Sequence, residues 1–326
     1  FSRNIKGYNI TIYDDSEEGF KDLRDAYTMF APSYKKSNPN LRGRFNIGEK
    51  FVLSMFDHAK ITSTKGCVRF LKDGTRKKSS EKIERGTIFS GFTKKLKRND
   101  WKFIRIHSRK IIPPIGINYL VNSIKVERPQ LLHNFEETLP SITTDDEGNL
   151  VNTSRKTNIE LFKSTNGVGC IYELGIPVVE LDIPYLVNVN QKIPLNKDRD
   201  NVKPAYLKKL NTVVLDQVSS ELSKEQLKAN WVSEGMEKST HKAVKDVLDG
   251  RYGEDAVVFD MSDSEANKKA FADDINVVTG GAFNKNAWEN IREARTTYED
   301  LARPSGSVGK YASPNMSGNV PAPLLD

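Results

Sequence analysis

"YNITIYDDSEEGFKDLRDAYTMFA", residues 8–31, carries the first structural signal of this chain. Ile10 and Ile12 alternate with polar residues, which predicts a strand ending at Asp14 and Asp15. Phe20, Leu23, Tyr27 and Phe30 then recur at helical spacing, which predicts an amphipathic helix closed by Pro32. "PSYKKSNPNL" (32–41) is polar and turn-rich and reads as a mobile loop. In "LRGRFNIGEKFVLSMFD" (41–57), Gly43 and Gly48 flank Arg44-Phe45-Asn46-Ile47 just before a helix expected from about Glu49. Unpaired N–H groups at the positive end of a helix can hold an anion. The plainer reading is a loop whose glycines serve backbone geometry.

From there to about residue 128 strands are expected: "AKITST" (59–64), "GCVRFLKD" (66–73), "GTIFSGFTKKL" (86–96), "WKFIRIHSR" (101–109) and "NSIKVER" (122–128). Helices followed by an antiparallel sheet imply an α+β fold, a two-layer α/β sandwich over residues 1–128. Residues 129–156 read as a linker or hairpin around "DDEGN" (145–149). A second α/β domain is expected over 157–235. It comprises the strands "TNIELFK", "GCIYELG" and "PVVELDI", the loop "QKIPLNKDRDNV" (191–202), and a helix from Pro204 striped by Tyr206, Leu210, Val214, Val218 and Leu222. Residues 236–302 form a smaller strand–helix–strand–helix pattern without defined chemistry. Residues 303–326 are Pro/Gly/Ser-rich and read as extended or disordered.

The 326 residues carry a net charge of +7, with 37% hydrophobic and 29% charged residues. The surplus is local: "RKK" at 76–78, "KKLKR" at 94–98, then Arg105, Arg109 and Lys110. Such runs can attract the phosphates of nucleotides, nucleic acids or lipid head groups. A Lys-rich strand edge that discourages sheet aggregation is the favoured alternative. Two distant cysteines, Cys67 and Cys170, fit a reducing cytoplasm and define no disulfide framework. Four scattered histidines (His58, His107, His133, His241) give no histidine metal site, and no segment has the length and apolarity of a membrane span. The first residue is Phe1 and no signal pattern follows, so an internal piece of a longer chain is expected.

In order along the chain, strand, Asp, Gly, helix, polar loop, Gly-rich turn and helix resemble the GHKL ATPases: gyrase, heat-shock chaperones, histidine kinases and MutL. Their Asp-x-Gly-x-Gly motif is matched by "DDSEEGF", with Asp14 or Asp15 as the carboxylate and Gly19 as the second glycine. In the family that carboxylate accepts a hydrogen bond from the adenine amino group. The Gly-x-x-Gly-x-Gly motif is similar to "GRFNIG": Gly43 and Gly48 match, Asn46 replaces the middle glycine, and Ile47 lies between. The resemblance implies that these amides meet the triphosphate of ATP, with charge from Arg44 or Lys50, and that residues 33–42 form a lid. "RGTIF" resembles the fourth motif, with Thr87 beside the adenine-side aspartate. "QKIPLNKDRDNV" resembles the transducer loop, in which Lys192 and Arg199 compete to reach the terminal phosphate. Together these imply a Bergerat-type nucleotide domain and a transducer-like domain, nearest to phage proteins of the RIIA type. The expected function is an ATP-dependent conformational switch, a chaperone-like homodimer. The family's first motif, a Glu general base and a Mg²⁺-binding Asn, has no counterpart near Asn4, so hydrolysis requires residues upstream. The alternatives are a nucleic-acid module, with DNA as partner, using the basic strands near 94–110, and an interaction protein without turnover, motivated by Ser16 and Asn46 at glycine positions.

Overall fold

The computed structural model describes residues 1–20, 22–29, 37–41, 48–145, 147, 149–195 and 202–294. It is an α+β protein that divides into two compact units, Phe1–Leu210 and Asn211–Asp326. The division falls inside one helix, away from the boundaries expected at 128 and 235.

The first unit opens with β1 (Ser2–Asn4), β2 (Gly7–Asp14), α1 (Gly48–Ser54), β3 (His58–Ser63), β4 (Gly66–Phe70), β5 (Arg76–Ser79), β6 (Thr87–Thr93) and α2 (Arg98–His107). The strands form one antiparallel sheet in the order β1-β2-β6-β3-β4-β5. "RKK" lies on β5, at the sheet edge, where lysines oppose edge-to-edge pairing. Tyr8, Ile10, Ala59, Phe56 and Trp101 form the buried cluster on one face, joined by Leu53 and Phe89. Phe56 reaches the sheet because residue 91 is glycine: a Cβ there would stand 2.5 Å from the Phe56 ring.

Residues 98–107 form a helix, not the strand their alternation suggested. Asp100 Oδ2 accepts from the Lys97 amide at 2.9 Å, and Trp101 N–H donates to Lys97 O at 3.1 Å, which closes the first turn. Trp101 is buried while Phe103 and Ile106 stay exposed, so the apparent two-residue period misread a one-sided helical anchor. Asp100→Ala is expected to cost about 1 kcal/mol in chemical denaturation, as losing a helix-start contact does.

The helix expected over residues 20–31 is also absent among the described residues: only a 3-10 turn, Leu23–Ala26, forms. Its start is pinned from outside. Phe20 N–H donates to Ser63 Oγ at 3.0 Å, and Asp22 Oδ1 takes the Arg24 amide at 2.8 Å, capping the first turn. "NSIKVER" contributes only a two-residue strand, β8 (Ile124–Lys125), paired with β7 (Leu120–Val121).

Of the linker or hairpin expected around residues 129–156, the hairpin forms. β9 (Leu131–Thr144) and β10 (Leu150–Lys163) pair as a long hairpin inside a second sheet with β11 (Gly169–Glu173), β12 (Ile176–Leu181) and β13 (Tyr185–Val189). Its order is β12-β11-β13-β10-β9, with β11 and β13 parallel. Ile159, Leu161 and Phe162 of β10 are fully buried, as a central strand requires. Ile112, Phe162, Cys170 and Tyr172 pack together.

Burial pushes the Cys170 thiol from 9.0 up to about 11, and raises the Tyr172 and Tyr206 hydroxyls. The folded unit therefore favours the neutral forms. The thiol's contribution is complete below pH 9 and is lost as pH rises from 9 through 11, and that of the two hydroxyls begins to fall only above their ordinary 10.0. A pH series of thermal unfolding is expected to show that alkaline decline, and a flat profile from pH 8 to 11 would contradict it.

Helix α3 (Pro204–Val218) starts at the expected proline, and Tyr206, Leu210, Val214 and Val218 are all buried. The second unit continues with α4 (Lys224–Leu227), α5 (Asn230–Gly235), α6 (His241–Tyr252), β14 (Val257–Val258), α7 (Ser264–Ala272), β15 (Val277–Val278) and α8 (Lys285–Ala294). β14 and β15 pair in parallel, realising the expected strand–helix–strand–helix order. Among the described residues no helix is long and apolar enough to cross a membrane.

Candidate functional site

Register brings distant sequence signals to one strand-end row. Asp14 pairs with Thr87, Thr87 with Ser63, and Ser63 with Gly66. Side chains two apart share a face, so this row lies on the same face as Tyr8, Ile10 and Gly91, which α1 and α2 cover. The next row inward is Ile12, Phe89, Ile61 and Val68. Ile12 is 57% exposed, so an apolar floor beside Asp14 is left open.

Two glycines close the row. Gly19 has φ +59°, and a Cβ there would lie 2.4 Å from Ser63 Oγ and 3.2 Å from Thr87 Oγ1. Gly86 has φ +82°, and its Cβ would collide with the carbonyl oxygen of Asp14 at 1.9 Å. Both positions need the left-handed backbone and the missing side chain. Phe20 N–H and Ser63 Oγ fix the chain that carries Gly19, at 3.0 Å. Gly19 and Thr87, 68 positions apart, thus meet above buried Ser63.

The two aspartates separate. Asp14 closes β2 opposite Thr87; its Oδ1 accepts from the Ser16 amide at 2.8 Å, and no hydrogen bond to Oδ2 is made among the described residues. Asp15 lies beyond the strand, and its carbonyl accepts from Arg85 Nε at 2.5 Å. Only Asp14 belongs to the row.

On the phosphate side, Gly43, Arg44, Asn46 and Ile47 lie outside the described residues, as does Arg199. Gly48 opens α1, a helix of 7 residues, and among the described residues no atom lies within 4 Å of where a Cβ would stand. Lys50 is buried and already engaged within the fold, not a solvated cation. α1 packs through Leu53 onto the face that carries Asp14. From Ile10 in that cluster to Asp14 is four strand residues, about 13 Å.

Lys192 is far from the solvated basic loop that its sequence allowed, being 1% exposed. Its amide donates to Pro39 O at 2.8 Å, and its carbonyl accepts from Ser141 Oγ at 2.7 Å. Thr143 Oγ1 donates to Ser37 O at 3.2 Å. The polar loop expected to act as a lid is therefore tied at two points to the second sheet, one of them Lys192 itself. Beneath this loop, Ile193 N–H donates to Glu173 Oε2 at 3.1 Å. The Tyr206 hydroxyl is buried near Glu173, and burial first, then that carboxylate's charge, raises its pKa.

Sequence reasoning missed Ser63, Gly86, Glu173 and Tyr206. Gly86 was legible as the glycine of "RGTIF". Ser63 and Glu173 carry no local signal, because only the register and the loop over β11 give them their places. Among the described residues, no group of three or more His, Cys, Asp and Glu side chains is placed to share a metal ion. No protein-family model matches the chain, and no curated protein matches it.

Proposed function

We propose that this chain binds ATP and acts as a nucleotide-dependent conformational switch of the GHKL type. The observation that carries the proposal is the convergence of Asp14, Gly19 and Thr87, three separately placed sequence signals, on one strand-end row beside an exposed apolar floor. That row fits an adenine. Asp14 Oδ2 is an acceptor for an exocyclic amino group, Ile12 and Phe89 offer apolar surface to the ring, and Thr87 Oγ1 lies beside the carboxylate for a further polar contact. Guanine presents a carbonyl oxygen where adenine presents an amino group, so the carboxylate selects for adenine.

Gly43, Arg44, Asn46, Ile47 and Gly48 are assigned to the phosphates by resemblance to the family. Lys192 is assigned to sensing. Its contact with Pro39 makes loop order in the first sheet and loop position in the second interdependent, so a nucleotide that orders one biases the other. Arg199 is the competing cation. No described residue is assigned to Mg²⁺, and the proposal concerns binding and switching rather than turnover.

The test is thermal unfolding of the chain with millimolar non-hydrolysable ATP analogue. At a hundredfold excess over Kd, binding to the native state alone adds about 2.7 kcal/mol. That corresponds to roughly 5–11 °C in Tm for a unit of this size. GTP is expected to give a smaller shift. Absence of any shift with the ATP analogue would reject the proposal.

A further inference from the structure

The opposite face of the first sheet carries a different pattern. Cross-strand pairing lines up Asn9, Phe92 and His58 in one row, and Thr11, Ser90, Lys60, Arg69 and Lys77 in the next. The His58 and Phe92 rings stack at 5.0 Å with 22° between their planes. These residues, Lys77 apart, line an open depression of about 340 Å³ that Leu71 helps to wall. We propose that this face binds single-stranded nucleic acid.

Single strands bind sheet faces through aromatic rings that stack the bases, flanked by cations that meet the phosphates. Here a stacked ring pair lies one row from three cations on three adjacent strands, about 5 Å apart from strand to strand. The hydroxyls of Thr11 and Ser90 extend the cationic row. Two carboxylates stand nearby. Glu81 bridges Lys60 at 2.5 Å and Arg69 at 3.4 Å. Asp73 is turned into its own loop, accepting from the Thr75 amide and hydroxyl at 2.9 and 2.6 Å. An edge-protection role would explain Lys77 on β5, but not Lys60 on the interior strand β3 or the ring pair beside it. An acidic peptide would use the cations and leave the ring pair without a role. The assignment also moves the nucleic-acid surface away from residues 94–110, where α2 replaces the expected basic strand. It does not depend on nucleotide binding at the other face.

Fluorescence anisotropy of the full chain with labelled oligo-dT and oligo-U, over a salt series, tests the proposal and separates DNA from RNA. Arg69→Ala/Lys77→Ala, both at exposed positions, is expected to weaken binding at least tenfold at low salt and to flatten the log–log salt slope by about 1.4, two phosphate contacts' worth. His58→Ala is expected to weaken binding with the slope unchanged. Glu81→Gln is expected to strengthen it several-fold, a gain that a misfolded variant would not give. Unchanged binding in the double variant, equal competition by poly-glutamate, or no binding to either oligonucleotide at low salt would overturn the proposal.

Discussion

Gly86→Ala is expected to lower the stability of the first unit by about 3 kcal/mol or more. Two costs coincide at this position. The backbone holds φ +82°, which an L side chain rarely adopts, and the new Cβ would stand 1.9 Å from the Asp14 carbonyl oxygen. That oxygen belongs to the end of β2, paired across to β6, so neither side can yield without opening the sheet. Gly74→Ala is the internal control: it has the same φ, +82°, and nothing within 4 Å of its Cβ. It pays only the conformational cost, about 1 kcal/mol. The difference between the two isolates the collision. Amide exchange of β2 and β6 under native conditions reads it directly, and equal destabilisation by both substitutions would contradict the packing described at the strand end.

The second large effect concerns ligand discrimination. Asp14→Asn is expected to weaken ATP binding about a hundredfold, because the site loses a charged acceptor and gains an amide donor facing the adenine amino group. Asp15→Asn is expected to change it little, since the Asp15 side chain lies outside the cross-strand row. Stability should move by less than about 0.5 kcal/mol in either variant, because an asparagine Oδ1 can still take the Ser16 amide and surface changes of this kind are small. Calorimetric titration of both variants separates the roles. Equal losses, or a loss confined to Asp15→Asn, would move the carboxylate role off Asp14.

The sequence made the order of elements in the first sheet legible because period-two alternation and glycine-bounded ends coincide there: β2, β3, β4 and β6 lie where "YNITIYDD", "AKITST", "GCVRFLKD" and "GTIFSGFT" place them. It failed where two periods overlap. Trp101, Phe103 and Arg105 alternate as a strand would, yet Trp101 and Ile104 share a helical face, and the Asp100 carboxylate at the Lys97 amide decides for helix. Residues 22–29 show the reverse: the expected helical stripe gives only the 3-10 turn Leu23–Ala26, next to a tertiary hydrogen bond from Phe20 to Ser63, 43 positions away, which no local pattern reveals. β13, "YLVNV", escaped notice because neither of its partners is joined to it by a hairpin: it lies between β11, parallel, and β10, antiparallel, and both pairings are set by topology. At the candidate site, Gly19 and Thr87 were legible through their setting. The distinction between Asp14 and Asp15 was not, since only register assigns one of two adjacent carboxylates to a face.

Amide hydrogen exchange with and without a non-hydrolysable ATP analogue bears most directly on the strand-end site. Protection is expected at Asp14–Phe20, at Thr87–Phe89, at Asn40 and Leu41, and at Lys192, whose amide donates to the Pro39 carbonyl in the loop contact that links the two sheets. Saturating analogue that leaves all of these amides unchanged, or that protects only the opposite face around His58 and Lys60, would contradict an ATP site at the Asp14–Thr87 row.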